Sequence, residues 1–504
     1  MKGLLVAGTA SDAGKSVVVA GLCRWLVRRG VKVAPFKAQN MALNSAVTPD
    51  GAEIGRAQVA QAAAARLAPE AAMNPVLLKP GGERTSQVVV MGRAVAELDA
   101  RGYQHLKPRL RAVVLDALTS LADRFEVVIC EGAGSPAEIN LRADDLVNMG
   151  LARAVALPVV VVGDIDRGGV FASLFGTLAL LDAADQALVA GFLVNKFRGD
   201  PAVLAPGLDQ LTRLTGRPVL GVLPWRRGLR LDAEDSVELG TPADGPAPPR
   251  GADVLQVAVV RLPWLSNFTD LDPLAAEPGV SLRFTTAPAE VLAADLAVVP
   301  GTKATVADLA WLRRGGLDRA LAERAARGLP TLGICGGYQL LGERITDLVE
   351  SRAGDVAGLS LLPVETVFEA AKVLANPVGT APWLGGVPAS GYEIHHGRTR
   401  LLGGEPVLDS DDGDRGCRRG AVVGVAWHGI FEGDAFRRAV LGWVAAERGL
   451  DWVAGERPFA AVREARLDVL GDLITDNTDT AALERLLEGG APPGLPFVPP
   501  GPSA

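Results

Sequence analysis

Histidine and cysteine are scarce in this chain, with four of each among 504 residues. The cysteines stand at positions 23, 130, 335 and 417, far apart and with no Cys-x-x-Cys pair. So few, so widely spread, exclude a disulfide framework, and the cytosol is the simplest setting for them. No excess of basic charge is present: 51 Lys and Arg face 58 Asp and Glu, for a net charge of -7. That argues against nucleic acid as a partner, since such proteins carry a basic stripe. The one arginine cluster, Arg226, Arg227 and Arg230, reads as a solvated loop. No apolar run reaches the ~20 residues of a membrane span. The N-terminus enters a strand at once and shows no signal-peptide pattern. A membrane partner is therefore not expected.

What is present is an ordinary globular composition, 48% apolar and 22% charged, in a chain too long for one core. Short Val/Leu/Ile runs alternate with helical stretches in the first half: KGLLVAG, VKVAPFK, FEVVICEG, LPVVVVGD, LVAGFLVNK and PVLGVLP. Continuous apolar strands joined by helical crossovers predict a parallel sheet covered on both faces. A Pro- and Gly-rich stretch at 237–252 reads as a linker. The pattern then restarts with LQVAVVRLP, VSLRFTT, DLAVVPG and LPTLGICGG. The expected organisation is α/β, with two doubly wound domains at 1–236 and 253–450. A C-terminal extension follows at 451–490, and then a disordered Pro/Gly-rich tail at 491–504. The oligomeric state stays open, a homo-oligomer included.

The stretch GTASDAGKSV, residues 8–17, follows the first strand and opens a helix. It has the shape of a phosphate loop with one residue too many, because five residues separate Gly8 from Gly14-Lys15-Ser16. Backbone N–H groups at the helix start would face phosphates. Gly14 permits close approach, Lys15 supplies charge, and Ser16 can ligate magnesium. Lys37, after the second strand, is placed to reach a transferring phosphoryl group. Glu131 ends a third strand, where ligands bind in open α/β sheets, and is placed to hold the metal. Asp50 and Glu53 are further candidates for metal or substrate. Asp164 and Asp166 also follow a strand, with no role assigned.

The long loop, with Thr9 and Asp12 inside it, resembles dethiobiotin synthetase and its related amidoligases. The resemblance implies ATP with Mg2+, and phosphorylation of a carboxylate on a small molecule. It also implies that Asn195, at a strand end, reads the adenine.

The second half carries a different chemistry. LPTLGICGGYQLLG reads as strand, sharp turn and helix, with Cys335 on the turn between glycines. Such an elbow exposes a nucleophile at a helix start, where the helix dipole favours thiolate. His428, after another apolar strand, is the candidate base. The N–H groups of Gly301 and Gly336 are candidates for an oxyanion hole. His395 and His396 are adjacent on a strand and point to opposite faces, so a shared metal is not expected. Glu393 and His395 would face the rim of the site.

This second set resembles the class I glutamine amidotransferases, which take ammonia from glutamine through a thioester. The chain departs from them at one point. Their His-x-Glu pattern would place Glu at position 430, which is Ile here, and Glu432 lies four residues on. The third member of the triad is left unassigned.

The two halves together resemble the corrinoid amidotransferases. FKAQNMALNSAVTPDGAEIGRAQ, NPVLLKP, EGAGSPAEINL, DLVNMG, DIDRGGVFAS, NKFRGD, LPWLSNFTDLDPL and GYEIHHG carry the likeness. It covers nearly the whole chain apart from the linker and the tail. The branch it points to amidates the b, d, e and g carboxylates of adenosyl-cobyrinic acid a,c-diamide, using glutamine and ATP. The alternatives are an amidoligase for another acid (the a,c-diamide synthase reaction or a cell-wall carboxylate) and a non-catalytic partitioning ATPase. The fused Cys335–His428 unit argues against the last.

Overall fold

A computed structural model describes residues 1–81, 85–226 and 247–500. Arg227, Arg230 and most of the expected linker lie outside the described residues. The six runs read from the first half form a single parallel sheet. They are Gly3–Gly8, Val33–Phe36, Val127–Glu131, Val159–Asp164, Val189–Phe197 and Val219–Pro224. Gly3–Gly8 sits inside the sheet, between Val127–Glu131 and Val159–Asp164. Alternate residues serve opposite faces. Leu5 and Ala7 join a core with the helices Ala100–Ala122 and Val170–Ala179. Leu4 and Val6 join another with the helix Lys15–Arg28.

The second core is completed from the far end of the sequence. The helices Phe459–Asn477 and Thr480–Gly489 place Leu467, Leu470, Ile474, Leu483 and Leu487 on the first sheet. The stretch expected as an extension after the second domain is thus a layer of the first. Ion pairs flank the contact: Arg24 with Glu464 at 2.9 Å, and Arg28 with Asp468 and Asp472, both at 2.7 Å.

The expectation of a disordered tail is corrected over its described part. Val498 is buried, its N–H donates to Gln186 Oε1 at 2.8 Å, and its carbonyl accepts from Gln186 Nε2 at 2.8 Å. Arg217 Nη1 donates to Pro496 O. Backbone hydrogen bonds and the single buried side chain of Val498 hold this segment, so composition did not reveal it. Residues 501–504 lie outside the described residues.

The second sheet runs Val280–Thr285, Leu255–Val260, Leu296–Val299, Thr331–Ile334, Val422–Val425, Cys417–Arg419. It is parallel except for its last, antiparallel edge strand. Each domain also carries a smaller sheet that the apolar runs did not announce. In the first these are the strands Gln39–Met41, Val76–Pro80, Thr85–Val90 and Arg93–Asp99. In the second they are Arg344–Asp347, Gly354–Ala357, Val364–Ala375 and Glu393–Leu401.

The hairpin Ser45–Val47/Glu53–Gly55 extends from the first domain onto the second. Ala46 and Val47 pack with Tyr392 and Ile394. Ser45 N donates to Asn267 Oδ1 at 2.8 Å, and Asn376 Nδ2 donates to Thr48 O at 2.9 Å. Glu432 pairs with Arg56 of the first domain and with Arg463 of the returning helix.

Gly21 tests the returning helix. In a helix interior, Gly→Ala gains roughly 0.5–1 kcal/mol. A Cβ at Gly21, however, would meet Leu470 O at 2.7 Å and Ile474 Cγ1 at 2.8 Å. Overpacking of this kind costs about 1–3 kcal/mol, so Gly21→Ala should lower the urea midpoint. A raised midpoint would show that the helix Phe459–Asn477 is not docked there.

Candidate active sites

The C-terminal edge of each parallel sheet gathers the chemistry. In the first, Gly8 leads into the long loop, and Gly14 is required by its conformation. Its φ is 96°, and a Cβ there would meet Asn195 Nδ2 at 2.0 Å. Lys15 Nζ donates to Ala10 O at 2.9 Å and Gly134 O at 3.2 Å, so the loop closes around its own lysine. Thr9 N donates to Val162 O at 2.9 Å, which ties the loop to the next strand. Asp12 is exposed and lies 3.3 Å from Arg167.

Glu131 is the centre of this edge. Its Oε1 accepts from Ser16 Oγ and from Lys37 Nζ, both at 2.9 Å, and its Oε2 accepts from Gln61 Nε2. Burial opposes its ionisation. The charge and hydrogen bond of Lys37, then Gln61 and Lys15, overcome this and hold the carboxyl below its ordinary value. Ser16, Lys37 and Glu131 come from three separate stretches and meet here. Gln61 was missed. Gln58 and Gln61 are both fully buried on an Ala-rich helix, and nothing in the sequence marked either.

Three further candidates have partners of their own. Asn195 is buried, and its Nδ2 donates to Ala13 O at 3.0 Å, so the amide also braces the phosphate loop. Asp50 lies on the exposed turn of the hairpin and accepts from Thr48 Oγ1 at 2.5 Å. Glu53 is fully buried at the domain interface, taken by Lys79 at 2.8 Å and Lys372 at 2.6 Å. Two lysines answer its charge there, which makes it an interdomain tie. Asp164 and Asp166 are paired with Lys196 at 3.0 Å and Arg198 at 2.9 Å.

In the second sheet, Cys335 has φ 48° and ψ -109°. This is a strained conformation for a residue with a side chain, and strain of this kind persists where the surroundings over-determine it. They do so here because the flanking glycines leave no room. A Cβ at Gly337 would meet Val299 O at 1.9 Å, and one at Gly336 would meet Thr302 N at 2.9 Å. Gly301 lies against His428, whose Cε1 would be 2.9 Å from a Cβ there. The sequence-derived set Cys335, His428, Gly301 and Gly336 is thus one constellation.

The missing acid is Asp270. Its Oδ2 is 2.6 Å from His428 Nδ1, and its Oδ1 accepts from Gly429 N at 2.8 Å. It is buried, on the short helix Phe268–Leu271. Its segment, LPWLSNFTDLDPL, was singled out by resemblance, but nothing local marked the residue as the partner of a histidine 158 positions on. Glu432, nearer in sequence, is spent on Arg56 and Arg463. Burial tends to raise it, and those two arginines hold it down at about 2.

These contacts set the protonation of the site. Burial alone would raise the Cys335 thiol. The charge and hydrogen bond of His428, and the charge of His395, bring it below its ordinary value. Burial would lower His428, but the charges of Asp270 and Cys335 raise it to about 10. The favoured state is a thiolate–imidazolium pair with Asp270 behind it. His395 joins Cys335 and His428 along the same cleft. Tyr392 stacks on His428 with ring centroids 5.4 Å apart. The GYEIHHG strand is therefore part of the site.

The family comparisons agree with this two-site layout. Residues 4–238 match the CobQ/CobB/MinD/ParA nucleotide binding domain, and residues 256–436 match the CobB/CobQ-like glutamine amidotransferase domain. A cobyric acid synthase of Frankia casuarinae is 61% identical, with 99% of each chain covered. Another, from Streptomyces coelicolor, is 62% identical at the same coverage. The chain belongs to the cobyric acid synthase family. It is a glutamine-hydrolysing carbon–nitrogen ligase of cobalamin biosynthesis with a nucleotide-binding domain. Family membership also removes the partitioning-ATPase alternative. Among the described residues no helix is long and apolar enough to cross a membrane.

Asp270→Asn should lower glutamine hydrolysis by about 10²–10⁴-fold, as loss of the orienting carboxylate does in other triads. Without that charge His428 gives up its proton at lower pH, and Cys335, which the Asp270 charge pushes up, ionises at lower pH as well. The pH–rate bell should shift to lower pH, most on its alkaline side. An unchanged profile would remove Asp270 from the triad.

Proposed function

We propose that this chain converts the b, d, e and g propionate carboxylates of adenosyl-cobyrinic acid a,c-diamide to amides, giving adenosylcobyric acid, with ATP and glutamine. The observation that carries the reading is the pairing, in one chain, of a Cys335–His428–Asp270 site with the Lys15–Ser16–Lys37–Glu131 edge. A carboxylate is a poor electrophile, and phosphorylation supplies the leaving group that ammonia needs.

Each residue then has a defined task. Cys335 attacks the glutamine amide carbon. Donors at Gly301 and Gly336 meet the developing oxyanion. His428 gives its proton to the departing ammonia, and water then releases glutamate from the thioester. At the other site Lys15 and the loop N–H groups hold the ATP phosphates. Lys37 meets the phosphoryl group as it passes to the substrate carboxylate. Ammonia displaces phosphate from the acyl phosphate and leaves the amide.

The donor set also suits magnesium. Ser16 Oγ and Glu131 Oε1 lie 2.9 Å apart, one hydroxyl and one carboxylate, which leaves positions for phosphate oxygens and water. Those two residues would hold the ion. When bound it would neutralise charge on the phosphates.

Mass spectrometry of products tests the reading. With adenosyl-cobyrinic acid a,c-diamide, glutamine and Mg-ATP, four successive carboxylate-to-amide mass changes are expected. Cys335→Ala should lose the glutamine-driven reaction by about 10³-fold or more while ammonium still supports amidation. Lys15→Ala should do the reverse, abolishing amidation from either nitrogen source while glutamate is still released. No mass change with a folded enzyme would assign the ligase to another acid.

A further inference from the structure

The cleft beside Cys335 holds more charge than the sulfur chemistry uses. Three lysines line it, Lys79, Lys303 and Lys372, with Glu350 as the carboxylate. Two of the lysines are already answered. Buried Glu53 takes Lys79 on one oxygen and Lys372 on the other. The remaining pair is Lys303 with Glu350, both partly buried.

Both members are presented by braced backbone. Lys303 follows Gly301 by two residues. Its N–H donates to Trp264 O at 3.0 Å, and neighbouring Thr302 is fixed by a hydrogen bond to Asp308 at 2.5 Å. Glu350 stands on a turn gathered by Asp347, whose carboxylate accepts from the N–H groups of Val349, Glu350 and Ser351 at 3.0, 2.8 and 2.8 Å. A shielded ion pair contributes little net stability, because desolvation offsets its attraction. Stability therefore does not account for placing this one beside the nucleophile.

A free α-amino acid does account for it. Glutamine carries its amide at one end and, three bonds away, a carbon bearing an ammonium and a carboxylate. We propose that Lys303 and Glu350 read that zwitterionic end, Lys303 taking the α-carboxylate and Glu350 the α-ammonium. The resting ion pair is exchanged for two with the substrate, so no charge is left unanswered when water is expelled. Gln339, buried on the helix that follows Cys335, lines the same cleft between this end and the sulfur. A glutamine side chain within a protein has neither charge, so the pair also excludes it. The assignment rests on Cys335 being the glutaminase nucleophile.

Two truncated amides separate the roles. Glutaramate lacks the α-ammonium, and 4-aminobutanamide lacks the α-carboxylate. For glutamine, Glu350→Gln and Lys303→Met should each lose about 10–100-fold in kcat/KM, carried mainly by KM, the size expected for one hydrogen bond to a charged group. Glu350→Gln should lose much less with glutaramate, and Lys303→Met much less with 4-aminobutanamide. Lys303→Arg should restore part of the glutamine activity, and urea midpoints check that each variant is folded. Equal losses on all three amides would overturn the proposal, as would no loss on glutamine. If the unaltered enzyme hydrolyses no glutamine, the glutaminase reading falls and this assignment falls with it.

Discussion

Glu53 is the residue on which the arrangement turns. It is fully buried, and it accepts from Lys79 of its own domain and Lys372 of the other. A carboxylate without partners at that depth would be neutral or displaced. Burial pushes it up, yet Lys372 and Lys79 together hold it below its ordinary value. Lys372 has the complementary difficulty, since burial brings it down to about 8 despite the carboxylate beside it. Each group is tolerable only because the others are present, and they come from both domains. Docking thereby brings together buried charges from both domains, with Lys79 and Lys372 at the wall of the glutaminase cleft.

The same logic recurs at both sites. Glu131 is kept charged by Lys37, Gln61 and Lys15, and Cys335 by His428 and His395. In each case a buried anion is held ionised by cations from other elements of the fold. Such groups are ready to act without reorganising solvent, which is what preorganised electrostatics contributes to a transition state. The strained φ at Cys335 belongs to this account. The backbone that follows it is held against Val299 and Thr302, which leave space for glycine alone at positions 336 and 337.

Placing both sites in one docked unit suits the nitrogen that passes between them. Ammonia free in water at neutral pH is mostly protonated and has no lone pair for attack. Ala46, Val47, Tyr392 and Ile394 form an apolar cluster where the two domains meet. The returning helix Phe459–Asn477 and the Arg56–Glu432–Arg463 bridge brace the same interface.

Much of this was legible in the sequence. The parallel strands announced themselves because burial on both faces demands unbroken Val, Leu and Ile. The phosphate loop and the cysteine elbow announced themselves because glycine is required where backbone must turn sharply or approach closely. The smaller sheets did not, because strands such as Arg93–Asp99 are largely exposed and mix polar with apolar residues. Asp270, Gln61 and the Glu53 tie were equally silent. An acid or an amide has no local signature of its partner. Only the tertiary structure brings Asp270 to His428 and Lys372 to Glu53, because the energy of a buried charge depends on what surrounds it in space. The sequence by itself determined the two α/β units and the nucleophile, and folding decided which carboxylates serve catalysis and which hold the domains together.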